Sequence, residues 1–167
     1  MMLQRQFNQK GFTLIEIIVS IVVMTIIAVI SGVGIVGISK GYVFSKKNAL
    51  TTQQGQIAMT RLKKELSNIK SVTGTPTATS ITFVRSSDLS SHTISWAGGS
   101  SPILIDGDTL IGSVTSFSLT YYNSYNAAAS AYSTSTSIIE MVLGLTGAEN
   151  SPINFTDRVN LYLETGG

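Results

Sequence analysis

The sequence contains no cysteine and a single histidine, His92. Without thiols there is no disulfide, no thiolate metal site and no cysteine nucleophile, and one imidazole cannot build a multi-histidine centre. A serine nucleophile would have to take His92 or a lysine as its base, and no nucleophile-elbow motif frames a serine. His92, beside Ser91, reads as a turn or strand residue. A phosphate-cradling loop is also missing, because "GVGIVG" (32–37) lies inside an apolar segment, and no aromatic-basic nucleic-acid module is present. Charge is the last absence: from Ile17 to Ile38 there is none. As a helix rising ~1.5 Å per residue, that run reaches ~33 Å, enough for the ~30 Å apolar slab of a bilayer.

The charges that are present separate along the chain. Between Lys40 and Lys70 stand Lys40, Lys46, Lys47, Arg61, Lys63, Lys64 and Lys70 against Glu65 alone, a net +6. From Ser71 onward Arg85 and Arg158 face Asp88, Asp106, Asp108, Glu140, Glu149, Asp157 and Glu164, a net −5. The basic stretch reads first as a solvated helix face. Segments of opposite sign are also placed to attract one another between copies.

The N-terminus "MMLQRQFNQKG" is polar and basic through Arg5 and Lys10. A cleaved secretory signal would carry a 7–15-residue apolar core and a small-residue cut site beyond it. Here the apolar run is longer and ends without an A-x-A-like site, although "ISGVG" (30–34) holds small residues. A signal-anchor fits better. Flanking cations do not orient it, since Arg5 and Lys10 precede the span and Lys40, Lys46 and Lys47 follow it. An N-in anchor would carry the larger C-terminal part across the membrane.

Glu16 is the discriminating residue, because an ionised carboxylate inside a span costs up to ~2.5–3.5 kcal/mol and needs a partner. One partner is local: Thr13 as N-cap with Glu16 three residues later makes a capping box. Another arises if the chain is cut between Gly11 and Phe12, leaving a cationic α-amine four positions from Glu16, in the same copy or a neighbour.

"KGFTLIE" (10–16), followed at once by the uninterrupted apolar run, resembles the class III signal of type IV pilins and type II secretion pseudopilins. The resemblance implies cleavage after Gly11 by a prepilin peptidase on the cytoplasmic side, N-methylation of Phe12, and Glu16 as the assembly acid at the fifth mature position. Gly32, Gly34, Gly37 and Gly41 each weaken a helix by up to ~1 kcal/mol relative to alanine and mark a soft stretch. Many major type IV pilins carry a proline in the corresponding part of the helix, and this sequence does not. Ala28 with Gly32 and Gly37 with Gly41 are small-xxx-small pairs that allow close helix approach.

Beyond the span, Val43, Leu50 and Ile57 recur at seven, followed by Leu62, Leu66 and Ile69 at four and three, an apolar stripe on a helix reaching Ser71. Its C-terminal half is expected to pack on the chain's own head and its N-terminal half to meet neighbouring subunits. Alternation predicts strands near Ser80–Arg85, Thr93–Ala97, Ile103–Ile105, Val114–Tyr122, Ser137–Leu143 and Val159–Glu164. "WAGGSSP" (96–102) and "DGDT" (106–109) read as hairpin connections. The segment 123–136 reads as a mobile excursion whose Tyr125 and Tyr132 are exposed. Asp106 and Asp108 form a weak calcium candidate of a kind known in some pseudopilin heads. "IDGDTLIG" (105–112) lacks the ligand spacing of an EF-hand, so a turn is the reading and no metal or cofactor is assigned.

The expected fold is α+β. A long N-terminal helix, half transmembrane and half amphipathic, packs on an antiparallel β-sheet head in the pilin ladle shape. The expected divisions are 1–11 leader, 12–38 transmembrane and assembly helix, 39–71 helical stem and 72–167 periplasmic head. "QIAMTRLKKELSNI" (56–69), "ITFV", "ISW" and "VTSFSLTYY" are similar to J-type minor pseudopilins and PilW-type minor pilins. The resemblance implies a non-enzymatic minor subunit acting in filament initiation or tip assembly, held in the inner membrane with its N-terminus cytoplasmic. Implied partners are other pilins, the prepilin peptidase, the assembly platform and the lipid bilayer, with no nucleic acid. The alternatives are a major pilin, a minor pilin of adhesion or DNA uptake, and a bitopic membrane-anchored binding protein.

Overall fold

A computed structural model describes residues 11–161, which form one helix followed by antiparallel strands. The helix α1 spans Leu14–Ser67. The chain divides into two compact units, one ending at Val43 and the other starting at Phe44. The first unit is apolar helix whose side chains are exposed throughout, from Leu14 to Val43. An 18-residue window of α1 near the N-terminus reaches a mean hydropathy of 2.8, and the helix is long and apolar enough to cross a bilayer. It is unbroken through Gly32, Gly34, Gly37 and Gly41.

The second unit holds the rest of α1 and two sheets. The strands are β1 (Ile69–Thr73), β2 (Ser80–Arg85), β3 (Ser91–Trp96), β4 (Ile103–Ile105), β5 (Asp108–Ile111), β6 (Val114–Tyr122), β7 (Ile138–Thr146) and β8 (Pro152–Asn160). The first five form one meander in the order β1-β2-β3-β4-β5, and the last three form another. Register lines Ile81, Ile94 and Ile105 up across β2, β3 and β4, so alternation puts one apolar row on the inner face. The segment before β2 joins the sheets: Leu119 N–H donates to Ala78 O at 2.7 Å and the Tyr121 hydroxyl to Thr77 O at 2.8 Å.

The core sits where α1 crosses the sheets. Gly55, Ala58, Met59, Leu62 and Leu66 are buried, spaced at three and four along the helix. With Phe83, Ile103, Ile139, Met141 and Leu143 the last four form one cluster, and each large side chain withdrawn from water contributes about 1.5–3 kcal/mol. Gly55 belongs here for lack of a side chain, since a Cβ would overlap the Phe155 ring.

Several expectations need correcting. The packing half of the stripe holds, with Leu62, Leu66 and Ile69 buried beside Gly55, Ala58 and Met59, but the seven-residue run does not continue into it, and Ile57 is exposed along with Val43 and Leu50. The helix ends at Ser67 instead of Ser71, because β-branched Ile69 and Val72 pair with β2 as strand β1. The last strand starts at Pro152, not Val159; proline is tolerated at the first position of this edge strand. Positions 162–164, Glu164 among them, lie outside the described residues. The Asp106-Gly107 connection is a tight hairpin with both residues at positive φ (55° and 88°), and it opens the unexpected strand β5. Between β6 and β7, Tyr132 is turned inward, its ring edge-on to Tyr121 at 5.6 Å, whereas Tyr125 is exposed.

Candidate processing and assembly site

Gly11, Phe12 and Thr13 precede the helix without regular structure. Gly11 has open space around the position of a missing Cβ, and Phe12 is 79% exposed. The peptide bond between them is therefore uncovered, immediately ahead of a rigid element. Residues 1–10, Lys10 among them, lie outside the described residues.

Thr13 and Glu16 form a reciprocal cap. Glu16 N–H donates to Thr13 Oγ1 at 3.4 Å, and Thr13 N–H donates to Glu16 Oε2 at 3.5 Å. Both are long, in keeping with an exposed helix start. The Thr13 carbonyl also accepts from Glu16 N–H and Ile17 N–H, which begins the helical ladder. The acid thus has a use within one copy: it satisfies a terminal amide and lies in the first turn, where the helix dipole favours negative charge.

Two hydroxyls inside the apolar run were not singled out from the sequence. Ser20 Oγ donates to Glu16 O at 2.7 Å, and Thr25 Oγ1 donates to Ile21 O at 2.8 Å. Each donor is satisfied four residues back along its own helix, which makes it compatible with lipid. The signal was legible as a Ser or Thr inside a span.

The second unit carries an ionic chain that links α1 to the five-stranded sheet. Glu65 pairs with Arg85 at 2.8 Å, Arg85 with Asp88 at 3.3 Å, and Asp88 with His92 Nε2 at 3.1 Å. His92 Nδ1 lies 2.6 Å from Asp106 Oδ2, and Asp106 Oδ1 accepts from Thr93 N–H at 2.7 Å. The hydrogen bond to Asp106 raises the His92 pKa, desolvation opposes it, and the bond to Asp88 adds to the rise. Desolvation works to raise the Asp106 pKa, but the bonds from His92 and Thr93 N–H outweigh it and hold the carboxyl below its usual range. Asp88 is lowered chiefly by Ser90 N–H.

The calcium candidates Asp106 and Asp108 therefore differ. Asp106 has both oxygens engaged in the β4–β5 turn, and Asp108 is exposed at the start of β5. Among the described residues no three His, Asp or Glu side chains gather in a metal-holding group. The charge separation along the chain is neutralised internally at one place, where Lys63 pairs with Asp157 at 2.9 Å, whereas the Glu65–Arg85 pair ties up the minority charge of each segment.

The description "prokaryotic N-terminal methylation motif" belongs to the family model that matches this chain, over residues 6–38. Neither a curated protein nor a solved structure gave a significant match. The matched residues bracket the Gly11–Phe12 bond, the Thr13–Glu16 cap and the apolar helix. Over residues 6–38 the chain is thus similar to proteins with an N-terminal methylation signal, the kind of signal that type IV pilin-like and pseudopilin proteins carry.

Proposed function

We propose that the chain is a minor pilin-like subunit, a pseudopilin of a type II secretion pseudopilus or a minor subunit of a type IV pilus, acting in filament initiation or tip assembly. A prepilin peptidase cuts after Gly11, and Phe12 is N-methylated. The helix holds the protein in the inner membrane with the N-terminus cytoplasmic and the head periplasmic until an assembly platform extracts it. Its role is structural and not enzymatic. Lipid and other pilins are its surroundings, and nucleic acid is not a partner.

The observation that carries this reading is the methylation-motif match on residues whose cleavable bond stands uncovered before the helix. Once the leader is removed, the Phe12 amine and Glu16 become opposite charges at the edge of hydrocarbon. A copy left alone has only the pairing and capping it can make within itself, and a neighbour supplies a further partner for each charge. Mass spectrometry of the N-terminus from host membranes tests it, with N-methyl-Phe12 expected. A retained Met1 would sink the reading. Glu16→Ala should leave insertion intact and lower incorporation into filaments.

A further inference from the structure

The stem has a second stripe, opposite the one it buries. At about 100° per residue, Lys46, Leu50, Gln53, Ile57, Arg61 and Lys64 fall within a sector of about 80°. The buried stripe of Ala58, Met59, Leu62 and Leu66 is centred roughly half a turn away. Leu50 is 50% and Ile57 61% exposed, and Ile57 lies beside an open groove of about 600 Å³ shared with Gln53, Thr60, Arg61, Lys64 and Glu65. The head's own packing accounts for the first stripe and leaves the second uncovered.

We infer that this face docks an acidic amphipathic helix of a different subunit. Charge complementarity selects the occupant. Lys46, Arg61 and Lys64 are exposed and make no ion pair among the described residues, whereas Lys63 turns to Asp157. The acid on this part of the stem, Glu65, is held by Arg85. A second copy meeting the stripe with its own would set cations against cations, a juxtaposition that costs free energy and steers wrong partners away. Nor does another face of a second copy supply an acidic helix. Of the described acids beyond the stem, Asp108 and Glu149 lack an ion pair, and both lie at turns. A lipid surface is the poorer fit, since a helix lying in a bilayer interface presents a broad apolar face, and here two apolar side chains stand between cations.

This extends the filament-subunit reading by naming the chemistry of a neighbour, although the geometry stands without it. The test places a photoreactive benzophenone amino acid at position 57 of the full chain in its host membranes and maps the adducts by mass spectrometry. The expected product joins position 57 to a helical segment of another protein with Asp or Glu within a turn of the cross-link. Combining Arg61→Glu with Lys64→Glu should reduce its yield roughly tenfold, and Arg61→Gln with Lys64→Gln should give an intermediate loss. Protease resistance of the head in the same variants verifies folding. A homodimer, lipid adducts alone, no adduct, a cross-link to a segment without acids, or a yield indifferent to charge reversal overturns the inference. N-terminal sequencing of the same samples reads cleavage at Gly11 separately, so failure of processing and failure of docking are distinguishable.

Discussion

Asp106 grips β3 twice, accepting a hydrogen bond from His92 Nδ1–H at 2.6 Å on one oxygen and from Thr93 N–H at 2.7 Å on the other. Because Asp88 meets the opposite ring nitrogen, a protonated imidazole ties the β2–β3 turn to the β4–β5 turn. A neutral ring can donate to only one of the two acids.

A pH dependence follows. The folded His92 pKa is raised, so its contribution is fully present below the ordinary 6.5 and is lost as pH rises through the higher folded value. Asp88 and Asp106 are lowered from 3.8, so theirs is present above that value and is lost as pH falls through the folded ones. Thermal unfolding of the full chain in detergent should show its highest Tm between about pH 4 and 6.5, with a decline toward pH 8. His92→Gln should flatten the alkaline side. The lone imidazole gives an isolated NMR signal, and a midpoint at or below 6.5 would contradict the geometry.

Gly55 and Phe155 make a pair whose sign should reverse. Alone, Gly55→Ala forces a Cβ into the Phe155 ring and should cost about 1–2 kcal/mol, overlap outweighing the gain in helix propensity. In a Phe155→Ala background the same substitution should stabilise by up to about 1 kcal/mol. A double-mutant cycle by denaturant unfolding measures the coupling.

Asn48 Oδ1 accepts from the buried Ala148 N–H at 2.7 Å, ahead of a tight turn in which Glu149 and Asn150 both have positive φ. Asn48→Ala would leave that amide unpaired and should cost about 1–3 kcal/mol. Amide exchange at Ala148 should accelerate correspondingly. Asn48→Asp keeps the acceptor and should retain protection.

Replacing Gly32, Gly34, Gly37 and Gly41 together with alanine adds up to about 1 kcal/mol of helix propensity per position. None of the four meets a neighbour that a methyl would strike, so the head should fold as before. If the stretch must soften on extraction from the membrane, filament yield should drop while membrane insertion holds. Unchanged yield would remove the need for softness.

How far sequence reading reached depended on the scale of each signal. Strands β2, β4 and β6 matched to the residue because alternation such as Ile81-Phe83 repeats between clear turns. The Thr13–Glu16 cap was legible because its pattern is local. The stem's buried face was legible in part: Leu62, Leu66 and Ile69 are buried, but the sevenfold recurrence of Val43, Leu50 and Ile57 hid Gly55 and Ala58, whose small size makes them suited to close packing but weak in an apolar count. Asp88 and His92 are only four residues apart, but the linkage of His92 to Asp106 depends on strand register across β3 and β4, which no short window contains. Strand β5 was hidden for the same reason, its four residues gaining their meaning from β4.

Ser20 and Thr25 point their hydroxyl protons back into the rod that bears them. Neither is then free to stitch one rod to the next through its donor, the usual adhesive between spans in oil. Lateral grip along this stretch is left to shape and dispersion, so adjoining rods can slide lengthwise without breaking a directional bond. In the filament proposed above, such slip would let one protomer be drawn out of the bilayer past the next.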